Sequence, residues 1–313
     1  MSRSLSHWTP PRHKVMRPVA RRLPIVIALV AALMAAAQAP AATPTAATSA
    51  TRVVDAGGVR LGYRVVGTGR PVVMVMGLGG SMDAWDPAFV DAIAAAGHKV
   101  VLFDNEGVGK SRFRKGTLSI RRMGDDLSAL IRRLKLGRPD VVGWSMGGMI
   151  GQSFAVRHPA QLRRLALLAT VPGDGKATPP SQAALDAVMA PGLGPLNVLF
   201  PEGSTQARDD YIAHILARTG AAPQAPPATQ VKQFTASTNW IFGRDLDGHR
   251  ISRLRLPVLV GGGELDQLLP FPNQQHIAKV IPGAKLVGYP DAAHGFFIQD
   301  AADFTPKLTA FLG

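Results

Sequence analysis

The chain contains no cysteine. This absence excludes disulfide bonds, zinc sites built on thiolates, a cysteine nucleophile and a lipoprotein anchor. Charged residues make up only 18% and aromatic residues 6% of the 313 positions, whereas hydrophobic residues make up 46%. That apolar fraction is normal for a globular protein and excludes a chain that is disordered throughout. The sequence therefore describes a globular protein whose stability does not depend on cross-links.

Several motifs for cofactors and metals are also missing. The glycines of Gly77–Gly80 do not have the G-x-G-x-x-G spacing, followed by an acidic residue, of a dinucleotide-binding loop. The chain has no Walker A sequence, and no H-x-x-x-H pair offers ligands to a metal ion. We therefore expect neither a cofactor nor a bound metal.

The first 22 residues hold no acidic residue but six basic ones: Arg3, Arg12, Lys14, Arg17, Arg21 and Arg22. An apolar run over residues 23–37 follows, and then the small-x-small sequence Ala37-Gln38-Ala39. This order is typical of a secretory signal peptide, and the run is shorter than the roughly 20 residues of a membrane-spanning helix. The sequence predicts a signal peptide over residues 1–39, export to the periplasm or medium, and no stable membrane span after cleavage. An uncleaved membrane anchor and a disordered basic arm are the alternatives.

The formal net charge of +14 raises the question of a nucleic-acid partner. Removing the six basic residues of the predicted signal peptide lowers that charge to +8. The remaining basic clusters are scattered and lie beside acidic residues or at the ends of predicted elements, without a nucleic-acid-binding motif near them. We therefore expect no nucleic acid as a partner. The Ala-, Thr- and Pro-rich residues 40–51 are typical of a disordered linker.

The rest of the chain alternates between strand and helix patterns. Residues 53–66 predict an antiparallel hairpin around Gly57-Gly58. Six short apolar runs are typical of strands buried on both faces: Val72–Met76, Lys99–Phe103, Asp140–Trp144, Arg164–Ala169, Pro257–Val260 and Lys285–Tyr289. Helical patterns lie between them, such as the apolar stripe from Ile120 to Leu134. The alternation predicts an α/β protein with a mostly parallel central sheet flanked by helices.

One long interval interrupts this alternation. Residues 174–256 contain no buried-strand pattern, but they include helix-like pieces at 181–189, 205–219 and 229–242, separated by proline-rich joints. A structureless loop of that length is rare in a compact domain. The interval therefore predicts a helical cap or lid, inserted into a catalytic domain that spans residues 52–313.

The sequence Gly143-Trp-Ser-Met-Gly147 matches G-x-S-x-G. The five-residue pattern alone is weak evidence, because a glycine-rich chain meets it by chance. Its context is informative: it follows a predicted strand and precedes a predicted helix over 146–157, as a nucleophile elbow requires. The tight turn tolerates little beyond hydrogen at its flanking positions, which accounts for the glycines. Ser145 is therefore the candidate nucleophile, and an idle serine in a strand–helix turn is the alternative.

A serine hydroxyl needs a base to take its proton. Of the eight histidines, His294 follows the last predicted strand, in Pro290-Asp-Ala-Ala-His-Gly295. Catalytic groups in such sheets cluster at the carboxyl ends of strands. His294 is therefore expected at the same edge of the sheet as Ser145. An ordinary surface histidine is the alternative.

The histidine in turn needs an acid that fixes its tautomer. Asp266 lies just past the predicted strand at 257–260 and is the preferred candidate. Glu264 shares that loop and is its main competitor, while Asp174 is a more distant one. Asp291 is too close to His294 in the chain to orient it. With Asp266, the order along the chain is serine, acid, histidine, as expected for this kind of fold.

At these residues the chain resembles the α/β-hydrolase superfamily, over nearly the whole of residues 53–313. Ser145, Asp266 and His294 match the family's nucleophile, acid and base. The stretch Met76-Gly-Leu-Gly-Gly80 resembles its oxyanion loop, although the family usually has histidine at Met76. The match implies that the backbone N–H groups of Leu78 and Met146 hold the developing oxyanion. Residues 104–111 resemble the family's D-x-R-G-x-G-x-S turn, with Glu106 in place of arginine.

The resemblance implies a serine hydrolase that forms an acyl-enzyme. The sequence thus predicts an exported carboxylic ester hydrolase, whose partner is a small-molecule acyl substrate. Amides, lactones and cofactor-free perhydrolysis or haloperoxidase chemistry are alternatives on the same triad. A non-catalytic ligand-binding protein is a further alternative, but such a protein is expected to have lost a triad residue.

Overall fold

The computed structural model describes residues 45–190, 194–218 and 220–313. Within them, eight strands form one sheet in the order β1-β2-β4-β3-β5-β6-β7-β8. β1 and β2 pair antiparallel to their neighbours, and β3 to β8 are parallel to one another. The strands are β1 (Arg52–Asp55), β2 (Arg60–Val66), β3 (Arg70–Val75), β4 (His98–Phe103), β5 (Asp140–Trp144), β6 (Leu165–Leu168), β7 (Val258–Gly263) and β8 (Lys285–Tyr289).

The helices surround this sheet and complete an α/β-hydrolase fold, as predicted from the sequence. They are α1 (Pro87–Ala95), α2 (Ile120–Arg133), α3 (Met146–Arg157), α4 (Gln182–Met189), α5 (Leu196–Leu199), α6 (Thr205–Leu216), α7 (Pro227–Ile241), α8 (Pro272–Val280), α9 (Phe296–Gln299) and α10 (Ala301–Leu312). Three 3₁₀ turns lie at Met82–Ala84, Pro159–Gln161 and Gly248–Arg253. The short helix α5 was not predicted from the sequence, because a single turn carries too little periodicity.

Alternating residues of the central strands pack into two separate apolar cores, one on each face of the sheet. Val73 and Val75 of β3 pack with α2, α3 and α8 on one face, whereas Val72 and Met74 pack with α1, α9 and α10 on the other. Successive side chains of a strand point to opposite faces, so a strand covered on both sides must be apolar throughout. This requirement explains why β3, β5 and β6 could be predicted from continuous apolar runs.

The start of α2 has a local cause in the sequence. Ser119 has extended backbone, and its Oγ accepts a hydrogen bond from the N–H of Arg122 at 3.1 Å. This is the geometry of a helix N-cap, which satisfies one of the free N–H groups of the first turn. The apolar stripe from Ile120 to Ile131 then faces the core. The helix therefore begins where the capping residue and the apolar stripe both predict it.

The segment between β6 and β7 is helical where the structure describes it. It carries α4, α5, α6 and α7 and the turn at Gly248–Arg253, and residues 169–190, 194–218 and 220–257 contain no strand. The helix patterns at 181–189, 205–219 and 229–242 correspond to α4, α6 and α7, with bounds that shift by a few residues. We refer to residues 174–256 as the cap.

The predicted signal peptide, residues 1–39, lies outside the described residues. Of the predicted linker, residues 45–51 are described, and Ala46 and Ser49 are buried. The N–H of Ala46 donates to Asp91 Oδ1 at 2.6 Å, and Arg218 Nη2 of the cap donates to the Ser49 carbonyl at 3.0 Å. Of the helices in the described ranges, none has the length and apolar character needed to cross a membrane.

The carboxyl group of Asp126, which is buried on α2, has a raised pKa. Arg114 Nη2 lies 2.8 Å from Glu106 Oε2 and 2.6 Å from Asp126 Oδ1, so one guanidinium bridges two carboxyl groups. Burial raises the pKa of Asp126 to about 7, and the neighbouring charge of Glu106 contributes to the increase. Asp126 therefore keeps its proton in the folded protein at a pH where the unfolded chain has already lost it.

This proton makes stability depend on pH between 6 and 8. The folded state binds more protons than the unfolded state in this range, so raising the pH favours unfolding, by on the order of 1 kcal/mol for this group. The variant Asp126→Asn removes the titration, and we expect its melting temperature to fall a few degrees less than that of the wild type between pH 6 and pH 8. Thermal melts of both proteins at the two pH values measure the difference. Equal decreases in the two proteins would contradict the assignment.

Candidate active site

The turn between β5 and α3 holds Ser145 in a strained backbone conformation. Its φ is +58° and its ψ is −124°, a region that a residue with a side chain rarely adopts. A Cβ atom on Gly147 would lie 2.0 Å from the Val75 carbonyl oxygen, and one on Gly143 would lie 2.4 Å from the Gly147 oxygen. Only glycine therefore fits at either flank, as the sequence pattern requires.

Backbone hydrogen bonds fix this turn against the next strand. The N–H of Ser145 donates to the Leu168 carbonyl at 2.9 Å, and Thr170 Oγ1 donates to the Ser145 carbonyl at 2.7 Å. The hydroxyl of Ser145 itself makes no hydrogen bond to any part of the chain that the structure describes, and it lies at a cavity beside the first turn of α3. The strained turn thus presents a free hydroxyl to the cavity.

His294 follows β8 and lies on the same cavity as Ser145. The imidazole is buried, and its Nδ1 lies 2.7 Å from Asp266 Oδ2. The other oxygen, Asp266 Oδ1, accepts hydrogen bonds from the N–H groups of Leu268 and Leu269, each at 2.8 Å. A carboxylate held in this way accepts a hydrogen bond from Nδ1–H and so keeps the proton of the imidazole on Nδ1. The lone pair of Nε2 is then left to take a proton from a nucleophile.

The competing acids lie elsewhere. Glu264 is exposed to solvent, and Asp291 is exposed as well. Asp174 Oδ2 lies 2.7 Å from Nε2 of a different histidine, His276. Asp266 is therefore the carboxylate that contacts His294, and His294 and Ser145 line the same cavity.

The variants Asp266→Asn and Glu264→Gln test which of the two acids in this loop takes part in catalysis. An amide at position 266 favours the wrong tautomer of His294, and we expect kcat to fall by on the order of 10⁴-fold. Glu264→Gln serves as the matched control, because it removes a carboxylate from the same loop and we expect its kcat to stay near that of the wild type. Steady-state kinetics of both variants on one substrate decide the matter. A larger loss in Glu264→Gln than in Asp266→Asn would reverse the assignment.

The loop after β3 passes directly over the nucleophile. A Cβ atom on Gly77 would lie 3.0 Å from Ser145 Cβ and 3.4 Å from Ser145 Oγ. Leu78 and Met146 both line the cavity. Met146 opens α3, where N–H groups have no partner within the helix, and the N–H of Leu78 donates to no acceptor in the described residues. Two backbone donors beside one hydroxyl are the arrangement that an oxyanion needs.

Several contacts to this site had no signal in the sequence. The indole Nε1 of Trp144 donates to the main-chain carbonyl of His294 at 3.1 Å. The N–H of His294 donates to the Val198 carbonyl at 3.2 Å, and that of Gly295 donates to the Leu199 carbonyl at 2.7 Å. The cap thus fixes the backbone of the histidine loop through carbonyl groups, which every residue type has, so no residue pattern could have predicted it.

The turn after β4 supports the loop from below. Asn105 Nδ2 donates to the Met76 carbonyl at 2.9 Å, and both Asn105 and Glu106 are buried. Glu106 pairs with Arg114 and Arg122, which hold the pKa of its carboxyl below the usual range despite burial. Neither Asn105 nor Glu106 lines the cavity. Both therefore have structural roles in this turn.

The cavity lies between the sheet edge and the cap and has a volume of about 620 Å³. Its wall is mostly aliphatic and aromatic, with residues from the cap such as Leu185, Val188, Leu199, Ile212, Ile215 and Ile241. Leu216, Phe234 and Phe242 line it and are also exposed to solvent, so they mark its entrance. Across the described residues, no group of three His, Asp or Glu side chains is arranged to hold a metal ion.

The fold and this site define a class of protein. The sequence model of the alpha/beta hydrolase fold matches residues 70–197. BpoC of Mycobacterium tuberculosis, a candidate non-heme bromoperoxidase by name, is 30% identical over 271 residues, which cover 81% of this chain and 98% of that protein. The chain belongs to the α/β-hydrolase family.

Other relatives carry different names. RutD of Azorhizobium caulinodans, a candidate carbamate hydrolase by name, is 26% identical over 265 residues, 82% of this chain and 96% of its own. An alpha/beta hydrolase fold protein from Chitinophaga pinensis superimposes with a TM-score of 0.75 at 26% identity, covering 85% of this chain and 98% of that one. The enol-lactonase of Burkholderia xenovorans LB400 superimposes with a TM-score of 0.64 at 25% identity, covering 83% and 99%. The names span several acyl chemistries, so similarity supports a hydrolase without choosing the bond.

Proposed function

We propose that this chain is an exported serine hydrolase that cleaves carboxylic esters through an acyl-enzyme on Ser145. The observation that carries the proposal is the convergence of Ser145, the pair His294–Asp266 and the N–H groups of Leu78 and Met146 on one cavity. Export rests on the basic, apolar and small-residue order of residues 1–39.

In the acylation step, Ser145 Oγ attacks the carbonyl carbon of the ester while His294 Nε2 takes its proton. Asp266, 2.7 Å from Nδ1, stabilises the imidazolium that forms. The negative charge that develops on the carbonyl oxygen is held by the N–H groups of Leu78 and Met146. Collapse of this intermediate expels the alcohol, which receives the proton from His294, and leaves the acyl group on Ser145.

In the deacylation step, water takes the place of the alcohol. His294 accepts a proton from the water, whose oxygen attacks the acyl carbon, and the same two N–H groups again hold the oxyanion. Return of the proton to Ser145 Oγ releases the carboxylic acid. Both steps use one base and one oxyanion site, so neither needs a cofactor.

The cavity indicates the kind of acyl group. Its aliphatic wall and volume of about 620 Å³ suit an apolar acyl chain of short to medium length. The exposed Leu216 and Phe242 at the entrance, 77% and 60% exposed, favour an apolar substrate over a charged one. We expect turnover of p-nitrophenyl esters to rise from acetate to butyrate and hexanoate and to fall again at palmitate.

Perhydrolysis is a second candidate, supported by the similarity to BpoC. In that reaction hydrogen peroxide replaces water in deacylation and releases a peracid, which oxidises halide without a metal. The same Ser145 acyl-enzyme precedes both outcomes, so the two candidates differ only in the second nucleophile.

A substrate panel on the mature protein tests the proposal. We would compare p-nitrophenyl butyrate, a matched carbamate and an aliphatic lactone, and acetate plus peroxide with bromide, each against the Ser145→Ala variant. The proposal predicts the highest kcat/KM on the ester. A carbamate or lactone that is turned over faster than any ester would replace the ester assignment, and ester turnover equal in both proteins would overturn the serine mechanism.

A further inference from the structure

The loop that supplies the oxyanion donor is fixed by the cap. Five hydrogen bonds join residues 79–83 to residues 222–233: Gly79 N–H to Gln233 Oε1 at 2.8 Å, Ala225 N–H to the Gly79 carbonyl at 2.8 Å, Ser81 N–H to Gln224 Oε1 at 3.0 Å, Ser81 Oγ to the Ala222 carbonyl at 3.0 Å, and Ala222 N–H to Asp83 Oδ2 at 2.5 Å. The part of the loop that follows Leu78 is therefore hydrogen-bonded to the cap at Gly79, Ser81 and Asp83.

One of these bonds acts next to the reacting atoms. Gly77 contacts Ser145, Leu78 supplies the candidate oxyanion donor, and Gly79 is the next residue. The N–H of Gly79 donates to the side chain of Gln233, which lies on α7 and is wholly buried. This hydrogen bond is partly buried and lies one residue from the Leu78 N–H, so it limits how far that donor can move.

Gly79 also depends on a side chain for its anchor. Its φ is +74°, so the loop turns through a left-handed residue and cannot be held by regular helix or strand pairing. The N–H of Gly79 is partly shielded from water and has Gln233 Oε1 as its acceptor, so removing that oxygen costs free energy. The remaining amide nitrogen, Gln233 Nε2, is buried with no hydrogen-bond partner in the described residues. The conformation of the side chain is thus set by its bond to the loop.

We propose that Gln233 is a positioning residue for the oxyanion hole, through which the cap controls the rate of the chemical step. The proposal rests on the function proposed above and extends it: a cap helix, and not only the sheet, sets the geometry of the Leu78 donor. Movement of α7 then changes kcat. A Leu78 N–H displaced from the oxyanion stabilises the transition state less, while binding of the substrate in the ground state changes little.

Three variants test this role. Gln233→Leu removes the acceptor, Gln233→Glu keeps an acceptor oxygen in either protonation state, and Gln161→Leu is the matched control. Gln161 is a partly buried glutamine that does not line the cavity, and its Oε1 accepts a hydrogen bond from Ser128 Oγ at 3.0 Å. The kinetic readout is the division of any loss between kcat and KM on p-nitrophenyl butyrate.

We expect Gln233→Leu to lower kcat by about 10- to 100-fold with KM within about threefold, since a displaced donor costs less than a deleted one. Gln233→Glu restores kcat to within about fivefold of the wild type, and Gln161→Leu leaves it unchanged. A purely structural role would instead lower the melting temperature and raise KM. Wild-type kcat in Gln233→Leu, or an equal loss in Gln233→Glu, overturns the proposal.

A second readout does not depend on turnover. Hydrogen exchange of a peptide covering residues 72–84 reports the protection of the Gly79 N–H. We expect faster exchange in Gln233→Leu and unchanged exchange in Gln233→Glu and Gln161→Leu. Unchanged exchange in Gln233→Leu contradicts the anchor itself. Loss of the proposed hydrolase function is separately visible, because the wild type and Ser145→Ala would then have equal activity whatever residue stands at 233.

Discussion

Ser145→Ala is expected to lower kcat on an ester by on the order of 10⁵- to 10⁶-fold, while the protein stays folded. The reason is chemical: alanine has no oxygen to form the acyl-enzyme, and only the cavity and the two N–H donors remain to assist water. We expect KM to change little, because the substitution removes the nucleophile of the chemical step and leaves the apolar wall of the cavity intact. Initial rates on p-nitrophenyl butyrate measure the loss.

Ser153→Ala is the matched control for this variant. Ser153 lies on α3, eight residues from the nucleophile, and is buried with its Oγ donating to Asp247 Oδ2 at 2.8 Å. It also loses one hydroxyl from the same helix, but it does not line the cavity. We expect a lower melting temperature with kcat near that of the wild type. Comparable kcat losses in the two serine variants would mean that the effect is structural.

His294→Ala has the second-largest expected effect, a decrease of kcat by on the order of 10⁵-fold or more. Without the imidazole, no group next to Ser145 Oγ can take its proton, since the carboxylate of Asp266 lies beyond the ring. Residues that act as one unit do not have additive effects, so the double variant Ser145→Ala/His294→Ala should be no slower than either single variant. Single- and double-variant kinetics under identical conditions test this.

His158→Ala is the control for the histidine. His158 Nε2 also lies close to a carboxylate, 2.9 Å from Asp125 Oδ1, but the pair is remote from the cavity. Its loss should leave kcat unchanged. Losses that multiply in the double variant of Ser145 and His294 would show that the two residues act independently, contrary to a triad.

The strands of the central sheet could be predicted from the sequence, because strands buried on both faces appear as continuous apolar runs. β5 was predicted with the bounds that the structure has, because it is buried on both faces and is therefore apolar throughout. The bounds of β8 also match, but the expectation that it is buried on both faces is wrong: β8 lies at the edge of the sheet, and Lys285, Leu286 and Gly288 are exposed. Parallel strands then bring their carboxyl ends to one edge, which is why residues 150 positions apart in the chain meet at one cavity.

The triad candidates could be found because each carries its own local signal. Ser145 lies in a turn that only glycine can flank, and His294 and Asp266 each follow a strand. The sequence separates Asp266 from Glu264 less clearly, because both lie in one loop and the direction of their side chains depends on how that loop folds. The backbone N–H groups of Leu268 and Leu269 fix the carboxylate of Asp266, and that contact depends on the folded loop.

The contribution of the cap could not be predicted from the sequence. Its helices have weak amphipathic patterns, and the groups that hydrogen-bond to the loops of the site are main-chain carbonyls such as that of Leu199 and glutamine side chains such as that of Gln233. A buried glutamine in a helix has many possible partners, so only the folded structure identifies Gly79 as the one it holds. The contacts that position the oxyanion loop and the His294 loop are therefore tertiary contacts.

Labelling by a fluorophosphonate tests whether Ser145 is an activated nucleophile. The phosphorus of the probe bonds to an activated serine oxygen as fluoride leaves, and intact-mass analysis counts the adducts on the purified protein. We expect one adduct on the wild type, at Ser145 by peptide mapping, and none on Ser145→Ala over the same time. No adduct on the folded wild type, or equal labelling of both proteins, would contradict it.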